Sequence, residues 1–235
     1  MSSGQHTLIF DNGVTDIADL VIGADGARSC IRSLVSSAMP QYCGVTIVEI
    51  QFIFVDDRHP EIAKLNQIRV YITLRAPENW IVESGIAFDQ PEQARKDLLR
   101  LFADWDNSLL NFIHFCDANF IPRPLYTLPT NHRWETHPGV ILLGDAAHLM
   151  SPFAGEGVNL AMLDATKLAL AITNADDLKQ AIHNYEQKIF PRAAKAAEES
   201  SSNLDLFIST GNAGKIAAEF FKKLMESGPP KDTEI

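Results

Sequence analysis

The stretch Val140-Ile-Leu-Leu-Gly-Asp-Ala-Ala-His148, with Ser151-Pro-Phe-Ala-Gly-Glu-Gly-Val-Asn159 close behind it, decides the fold. Val140 to Leu143 is a short, wholly apolar run bounded by Pro138-Gly139 and Gly144, the pattern of a parallel strand buried on both faces. From about Gly157 the pattern turns helical. Gly155 and Gly157 carry no Cβ, so a ligand can come close to the backbone there. The free N–H groups of that helix's first turn and the positive end of its dipole favour negative charge. A phosphate fits this, and so does the electron-rich rim of a flavin ring. A tight turn with no ligand fits it too, because Gly-x-Gly before a helix is a weak signal alone.

Working outward, Asp19-Leu-Val-Ile-Gly-Ala-Asp-Gly-Ala-Arg-Ser29 repeats the arrangement: an apolar strand that stops at Asp25-Gly26. In open α/β sheets, ligands bind beyond the carboxyl ends of the strands. Two strand ends that each carry Gly and Asp would put Asp25 and Asp145 on one ligand-facing edge, where carboxylates suit the hydroxyls of a ribose or ribityl chain. The plainer reading is that each Asp caps the helix that follows its strand.

The rest of the chain reads more coarsely. Thr7–Phe10 and Asp19–Ile22 are expected strands, with Asp11-Asn12-Gly13 as a turn between them. Residues 45–57, Ile68–Leu74 and Ile81–Phe88 are expected to make an antiparallel or mixed sheet. Ala94, Leu98, Leu101, Phe102 and Trp105 share one helix face, with Asp89 as the expected cap and Pro91 in the first turn. Ala161, Ala165 and Ala169 form a small-residue stripe, and Leu178, Ala181, Ile182, Tyr185 and Ile189 mark the apolar face of the next helix. The tail Glu226–Ile235 is expected to be without structure.

Composition narrows the class. A chain of 235 residues has room for one to two domains, and 46% apolar residues can bury a sizeable core. The formal net charge of −10 makes nucleic acid and anionic membranes poor partners. The 3 cysteines, Cys30, Cys43 and Cys116, fit a reducing compartment rather than a disulfide scaffold. His114 and Cys116 have no further ligands at metal spacing, so no metal site is expected. No apolar run is long enough to span a membrane, no secretory signal is visible, and the expected location is cytoplasmic.

The residues Asp19–Arg32, Gly144–His148 and Pro152–Asn159 resemble the FAD-dependent aromatic hydroxylases related to para-hydroxybenzoate hydroxylase. Gly144–Asp164 and Asn184–Lys188 are most similar to the tetracycline-inactivating monooxygenases. The resemblance implies an α/β fold: a partial, doubly wound FAD-binding domain from 1–40 and 120–200, an inserted mixed β-sheet substrate domain at 41–119, and C-terminal helices with a tail at 201–235. It implies that Asp145 holds the ribityl hydroxyls, that Pro152 lies near the isoalloxazine, and that Gly155, Gly157, Val158 and Asn159 offer amides to its pyrimidine edge. Asp25 and Gly26, with Arg28 close by, belong to the motif such enzymes use near FAD and NAD(P)H. It assigns no catalytic residue. In such enzymes NAD(P)H reduces the flavin and O₂ is used to hydroxylate a small aromatic or polyketide-like substrate over the middle sheet.

These enzymes open with a βαβ unit whose Gly-x-Gly-x-x-Gly turn cradles the FAD pyrophosphate. Gly23-Ala-Asp-Gly26, Gly155-Glu-Gly157 and Gly211-Asn-Ala-Gly214 do not fit that pattern. The expectation is therefore the carboxyl-terminal two-thirds of a flavin monooxygenase, completed by a partner chain or a preceding segment. Two alternatives stand beside it: a cofactor-free remnant without catalysis, and a flavoenzyme of the same fold doing epoxidation, halogenation or reduction.

Overall fold

The computed structural model describes residues 5–53, 67–208 and 213–227. Strands β1 (His6–Ile9) and β2 (Thr15–Ala18) pair antiparallel around the Asp11-Asn12-Gly13 turn. There Gly13 takes φ 79° and Asn12 Oδ1 accepts the Val14 amide at 3.0 Å. Strand β2 lacks the apolar alternation that would reveal it in the sequence, because it is mostly exposed. The run expected across that turn from β1, Asp19–Ile22, gives instead a separate strand, β3 (Val21–Gly23), which pairs in another sheet.

After a 3₁₀ turn at Ile31–Leu34 the chain forms β4 (Gln41–Ile53), β5 (Gln67–Arg75), α1 (Trp80–Glu83), α2 (Pro91–Leu101), α3 (Asn107–Phe115) and β6 (Ile121–Thr127). It then forms β7 (Val140–Leu142), α4 (Asp145–His148), a 3₁₀ turn at Pro152–Ala154, α5 (Gly157–Thr173), α6 (Leu178–Phe207) and α7 (Ala213–Ser227). The fold is mixed α/β, in two compact units: Tyr42–Leu125, and the residues on either side of it.

In the Tyr42–Leu125 unit, β4 is the central strand of the order β5-β4-β6. It pairs antiparallel with β5 from Val45 opposite Arg75 to Ile53 opposite Gln67. Val48, Ile50 and Ile72 bury one sheet face in a core with Ala94, Leu98, Phe102 and Ile113 of the helical layer. The expected strand end at 54–57 lies outside the described residues. The expected strand at Ile81–Phe88 is instead α1 and a turn, because Gly85 takes φ 68°, which no strand continues through. Helix α2 starts at Pro91 as its sequence predicts, but Gln90, not Asp89, is the N-cap, and no side chain caps it. Helix α3 was not foreseen. Its signal is Asp106, whose carboxylate accepts the Ser108 amide at 2.8 Å.

In the other unit, β3 and β7 pair parallel, Val21 opposite Val140 and Gly23 opposite Leu142. Val140, Ile141 and Leu142 are all 0% exposed, as a strand covered on both faces must be. Ile141, Leu142, Ala146, Ala147 and Leu168 pack against Ile182, Tyr185 and Ile189 of α6. That is the apolar face predicted by the α6 spacing. The alanine stripe behaves differently: Ala161 lies against Gly144, while Ala165 and Ala169 are exposed. Helix α7 takes in Glu226 and Ser227, and 228–235 lie outside the described residues. Among the described residues no helix is long and apolar enough to cross a membrane.

Candidate functional site

The parallel pairing of β3 with β7 sets the two Asp-bearing strand ends side by side. The Leu143 amide donates to the Gly23 carbonyl at 3.0 Å, one residue before Gly144-Asp145 and two before Asp25. Their carboxylates do different things. Asp25 accepts the amides of Cys30 at 2.7 Å and Ile31 at 3.3 Å, and so caps the 3₁₀ turn. Burial pushes its pKa up, but hydrogen bonds from Ser29 and these amides outweigh that and leave it lowered. Gly26 takes φ 79° with open space around it, which closes the turn. Arg28 is exposed.

Asp145 is the first residue of α4, and its side chain is exposed with no partner among the described residues. Gly144 before it takes φ 60° and fits so closely on α5 that a Cβ there would lie 3.1 Å from the Ala161 Cβ. Ala161 is one helical turn from Gly157, so Asp145 sits beside the α5 N-terminus. At that terminus no side chain caps the helix. The amides of Gly157, Val158 and Asn159 have no acceptor among the described residues, as expected of a first turn. Gly155 takes φ 69°, and a Cβ on Gly155 or Gly157 would meet nothing within 4 Å. A free carboxylate, three free amides and open backbone thus converge, with exposed Pro152 in the intervening turn.

Residues that the sequence reading passed over hold this arrangement in place. Arg32, 3% exposed, spans both strand ends: it donates to the Ala146 carbonyl at 3.0 Å and the Ala27 carbonyl at 2.7 Å. Asp164, 0% exposed, accepts from the Gly144 amide at 3.1 Å, His148 Nε2 at 2.6 Å and an Arg192 nitrogen at 2.7 Å. Burial pushes its pKa up, but the His148 and Arg192 interactions and the Gly144 amide overcome this and lower it. Its signal in the sequence is a carboxylate at the middle of the Leu160, Asp164, Leu168 face of an otherwise apolar helix stripe. His148 Nε2 is thus held by Asp164, while its Nδ1 is buried without a hydrogen-bond partner among the described residues. The 3₁₀ turn is tied to α6 by Ser151 Oγ with Ser200 Oγ at 2.6 Å and by Asn203, which donates to the Phe153 carbonyl at 3.1 Å.

Comparison with known proteins points the same way. Residues 129–200 match the family model described as FAD binding domain. The chain is 28% identical to Monooxygenase penA of Penicillium thymicola, over 92% of this chain and 66% of that one. It superposes on Klebsiella pneumoniae HpxO complexed with FAD and uric acid with TM-score 0.76 at 21% identity, covering 96% of this chain and 60% of that one. Tetracycline destructase Tet(51) gives TM-score 0.62 at 20% identity, covering 97% and 64%. The chain shares the fold of these structures, and the family-model match at 129–200 covers the Gly144–His148 and Pro152–Asn159 motifs. The chain spans just under two thirds of the length of the curated relatives it matches first.

Proposed function

We propose that this chain carries the isoalloxazine and ribityl half of an FAD site, and that it serves hydroxylation of a small aromatic or polyketide-like substrate with NAD(P)H and O₂ in the cytoplasm. One observation carries the reading: the unpartnered Asp145 carboxylate stands beside an uncapped α5 N-terminus whose glycines leave room for a ring. FAD, when bound, supplies hydride acceptance and oxygen activation, chemistry that no side chain performs. Asp145 accepts hydrogen bonds from ribityl hydroxyls. The amides of Gly157, Val158 and Asn159, with the helix dipole behind them, stabilise negative charge on the pyrimidine edge. Pro152 borders the ring without offering it a proton. Asp25 and Gly26 act through the turn they shape rather than through a free carboxylate, and Arg28 is left at the surface for the reductant's phosphates.

The Tyr42–Leu125 unit is the proposed substrate domain. On the sheet face opposite the α2–α3 core, the Glu49 carboxylate is held by Arg123 Nε at 2.6 Å and by Arg69 at 3.4 Å. This fixed charge supports the reading of that face as the one a polar substrate would use. The uric acid of the HpxO complex and the tetracycline of the destructase name illustrate the range. The test is titration of the purified chain with FAD, followed by quenching of flavin fluorescence. Saturable binding that falls in Asp145→Ala supports the assignment, while no binding, or binding indifferent to Asp145, sinks it. Substrate-stimulated NAD(P)H oxidation by the flavin-loaded protein tests the reaction.

A further inference from the structure

Two loops of the unit that holds the candidate site meet at a serine and a histidine. The first follows the 3₁₀ turn at Ile31–Leu34, where the Ser36 amide donates to the Arg32 carbonyl at 2.9 Å. The second precedes β7, where the His132 amide donates to the Pro129 carbonyl at 2.9 Å. Across the two loops, Ser36 Oγ lies 2.9 Å from His132 Nε2. Both residues are half-buried, and Ser37, Asn131 and Arg133 beside them in the chain are exposed.

The direction of that hydrogen bond follows from the other ring nitrogen. His132 Nδ1 lies 2.7 Å from the Ala147 carbonyl oxygen, which can only accept, so Nδ1 carries a proton. Burial pushes the ring's pKa below 6.5; the Ala147 carbonyl opposes this, and the nearby Arg32 and His148 add to it. The ring is therefore neutral at neutral pH, and its Nε2 lone pair receives the Ser36 hydroxyl as donor. A hydroxyl that donates to an imidazole whose far nitrogen is fixed by a third group is the arrangement that activates a serine. Ser36 Oγ also accepts the Ala38 amide at 3.1 Å, which stabilises the alkoxide character it gains on losing its proton. The Ser37 amide has no acceptor among the described residues. The amide that follows a nucleophile is one of the donors that hydrolases offer to an oxyanion. The same bonds would also pin the two loops together, and reactivity is what separates a nucleophile from a pin.

We propose that Ser36 and His132 form a nucleophile–base pair that cleaves small activated esters, an activity that does not rest on the flavin assignment. Ser36 Oγ attacks the ester carbonyl carbon as its proton passes to His132 Nε2. The bond from that carbon to the alcohol oxygen breaks, the alcohol leaves with the proton, and Ser36 is left acylated. Water then gives a proton to His132 Nε2 and attacks the acyl carbon, and the proton returns to Ser36 Oγ as the carboxylic acid departs. A carbonyl in the third position stabilises the imidazolium less than a carboxylate would, which limits the substrates to esters with good leaving groups. Leu34 and Met39 of the same loop are exposed and offer apolar surface to a short acyl chain.

The test treats the full chain, without flavin, with p-nitrophenyl acetate and in parallel with a fluorophosphonate, and maps the adducts by peptide mass spectrometry. The expected result is a burst of about one nitrophenolate per chain and a phosphonate on Ser36. Ser36→Ala should abolish both. His132→Asn keeps an N–H for the Ala147 carbonyl but removes the base, and should slow both by about 100-fold. Wild type unfolded in urea should not be labelled, a comparison that stands whether or not the variants fold. The proposal is overturned by the absence of burst and adduct, by an adduct on another residue, or by equal labelling in urea. Labelling that His132→Asn leaves at the wild-type rate overturns it too, and shows that the pair only pins the loops.

Discussion

Replacing Asp164 by alanine should destabilise the chain more than any other single truncation in the unit that holds the candidate site. The carboxylate is 0% exposed and takes hydrogen bonds from three separate elements: the Gly144 amide at 3.1 Å, His148 at 2.6 Å and Arg192 at 2.7 Å. Its removal leaves the Arg192 charge without its counter-ion and two further polar groups without an acceptor. Breaking such a buried pair from one side costs about 3–5 kcal/mol. At about 2–4 °C per kcal/mol for a chain of this size, Tm should drop by roughly 6–20 °C. Urea unfolding, followed by circular dichroism and by tryptophan fluorescence, measures this directly. The lowered pKa of Asp164 adds a pH signature. An acid whose folded pKa lies below its unfolded 3.8 contributes stability above that value and loses it as pH falls through the folded pKa. Wild type should therefore lose stability below about pH 4 more steeply than Asp164→Asn, whose side chain cannot ionise. A cost below about 1 kcal/mol for Asp164→Ala, the range of ordinary surface changes, would refute the idea that this carboxylate ties α4, α5 and α6 together.

Asp145→Ala should weaken FAD binding by about 1–3 kcal/mol, the value of a lost acceptor, while stability without flavin stays within about 1 kcal/mol of wild type because the side chain has no protein partner; fluorescence titration and thermal melts check both. Gly157→Val should abolish flavin binding and leave folding intact, since a Cβ at 157 meets nothing within 4 Å; a variant that keeps full flavin content would put the ring elsewhere. Arg32→Ala should cost about 2–4 kcal/mol by leaving buried carbonyls unsatisfied, and should lower flavin retention although Arg32 is not expected to touch the flavin. Burial raises the Glu186 pKa above 4.5 despite hydrogen bonds from Thr136 and Trp134, so the folded chain holds this proton more tightly and loses stability as pH rises through that window. Glu186→Gln should flatten that slope, and an unchanged slope in urea unfolding at several pH values would show that Glu186 does not titrate as described.

How much of this was legible depended on whether the deciding contact is local. Strand β7 was legible because a strand covered on both faces must be apolar throughout, and helix α6 because its buried positions repeat every turn; in α5 the buried positions are Leu160, Asp164 and Leu168, not the alanine stripe. Gly155, Gly157 and Asp145 were legible because a Gly-x-Gly before a helix and a Gly-Asp at a strand end are each patterns of neighbouring residues. The run at Ile81–Phe88 misled because short apolar runs serve strands and helices alike, and Gly85 decides between them only through its φ of 68°. The carboxylate at Asp25 was correctly read two ways, and its hydrogen bonds to Cys30 and Ile31 choose the cap. Arg32, Arg192, Ser200 and Asn203 were not legible: each acts on a partner that the sequence pattern does not place near it. A lone Arg or Ser in a polar helix face carries no mark of such a contact.

These distant contacts share one element. Along α6, Glu186 holds Trp134 at 2.7 Å, Arg192 holds Asp164, Ser200 meets Ser151, and Asn203 reaches the Phe153 carbonyl. At 1.5 Å per residue these anchors span about 25 Å of a single helix. The loop before β7, the α5 face and the Pro152–Ala154 turn are therefore spaced by one rigid rod rather than by their own chain connections. Pro191 does not break it, because Pro191 and Gln187, the residue whose carbonyl loses its partner, both lie on the exposed side where water can serve. A site built from loops on either side of such a rod gains its geometry from helix regularity. The short Pro152–Ala154 turn needs no stability of its own to hold Gly155 and Gly157 open, because Ser200 and Asn203 hold it from behind.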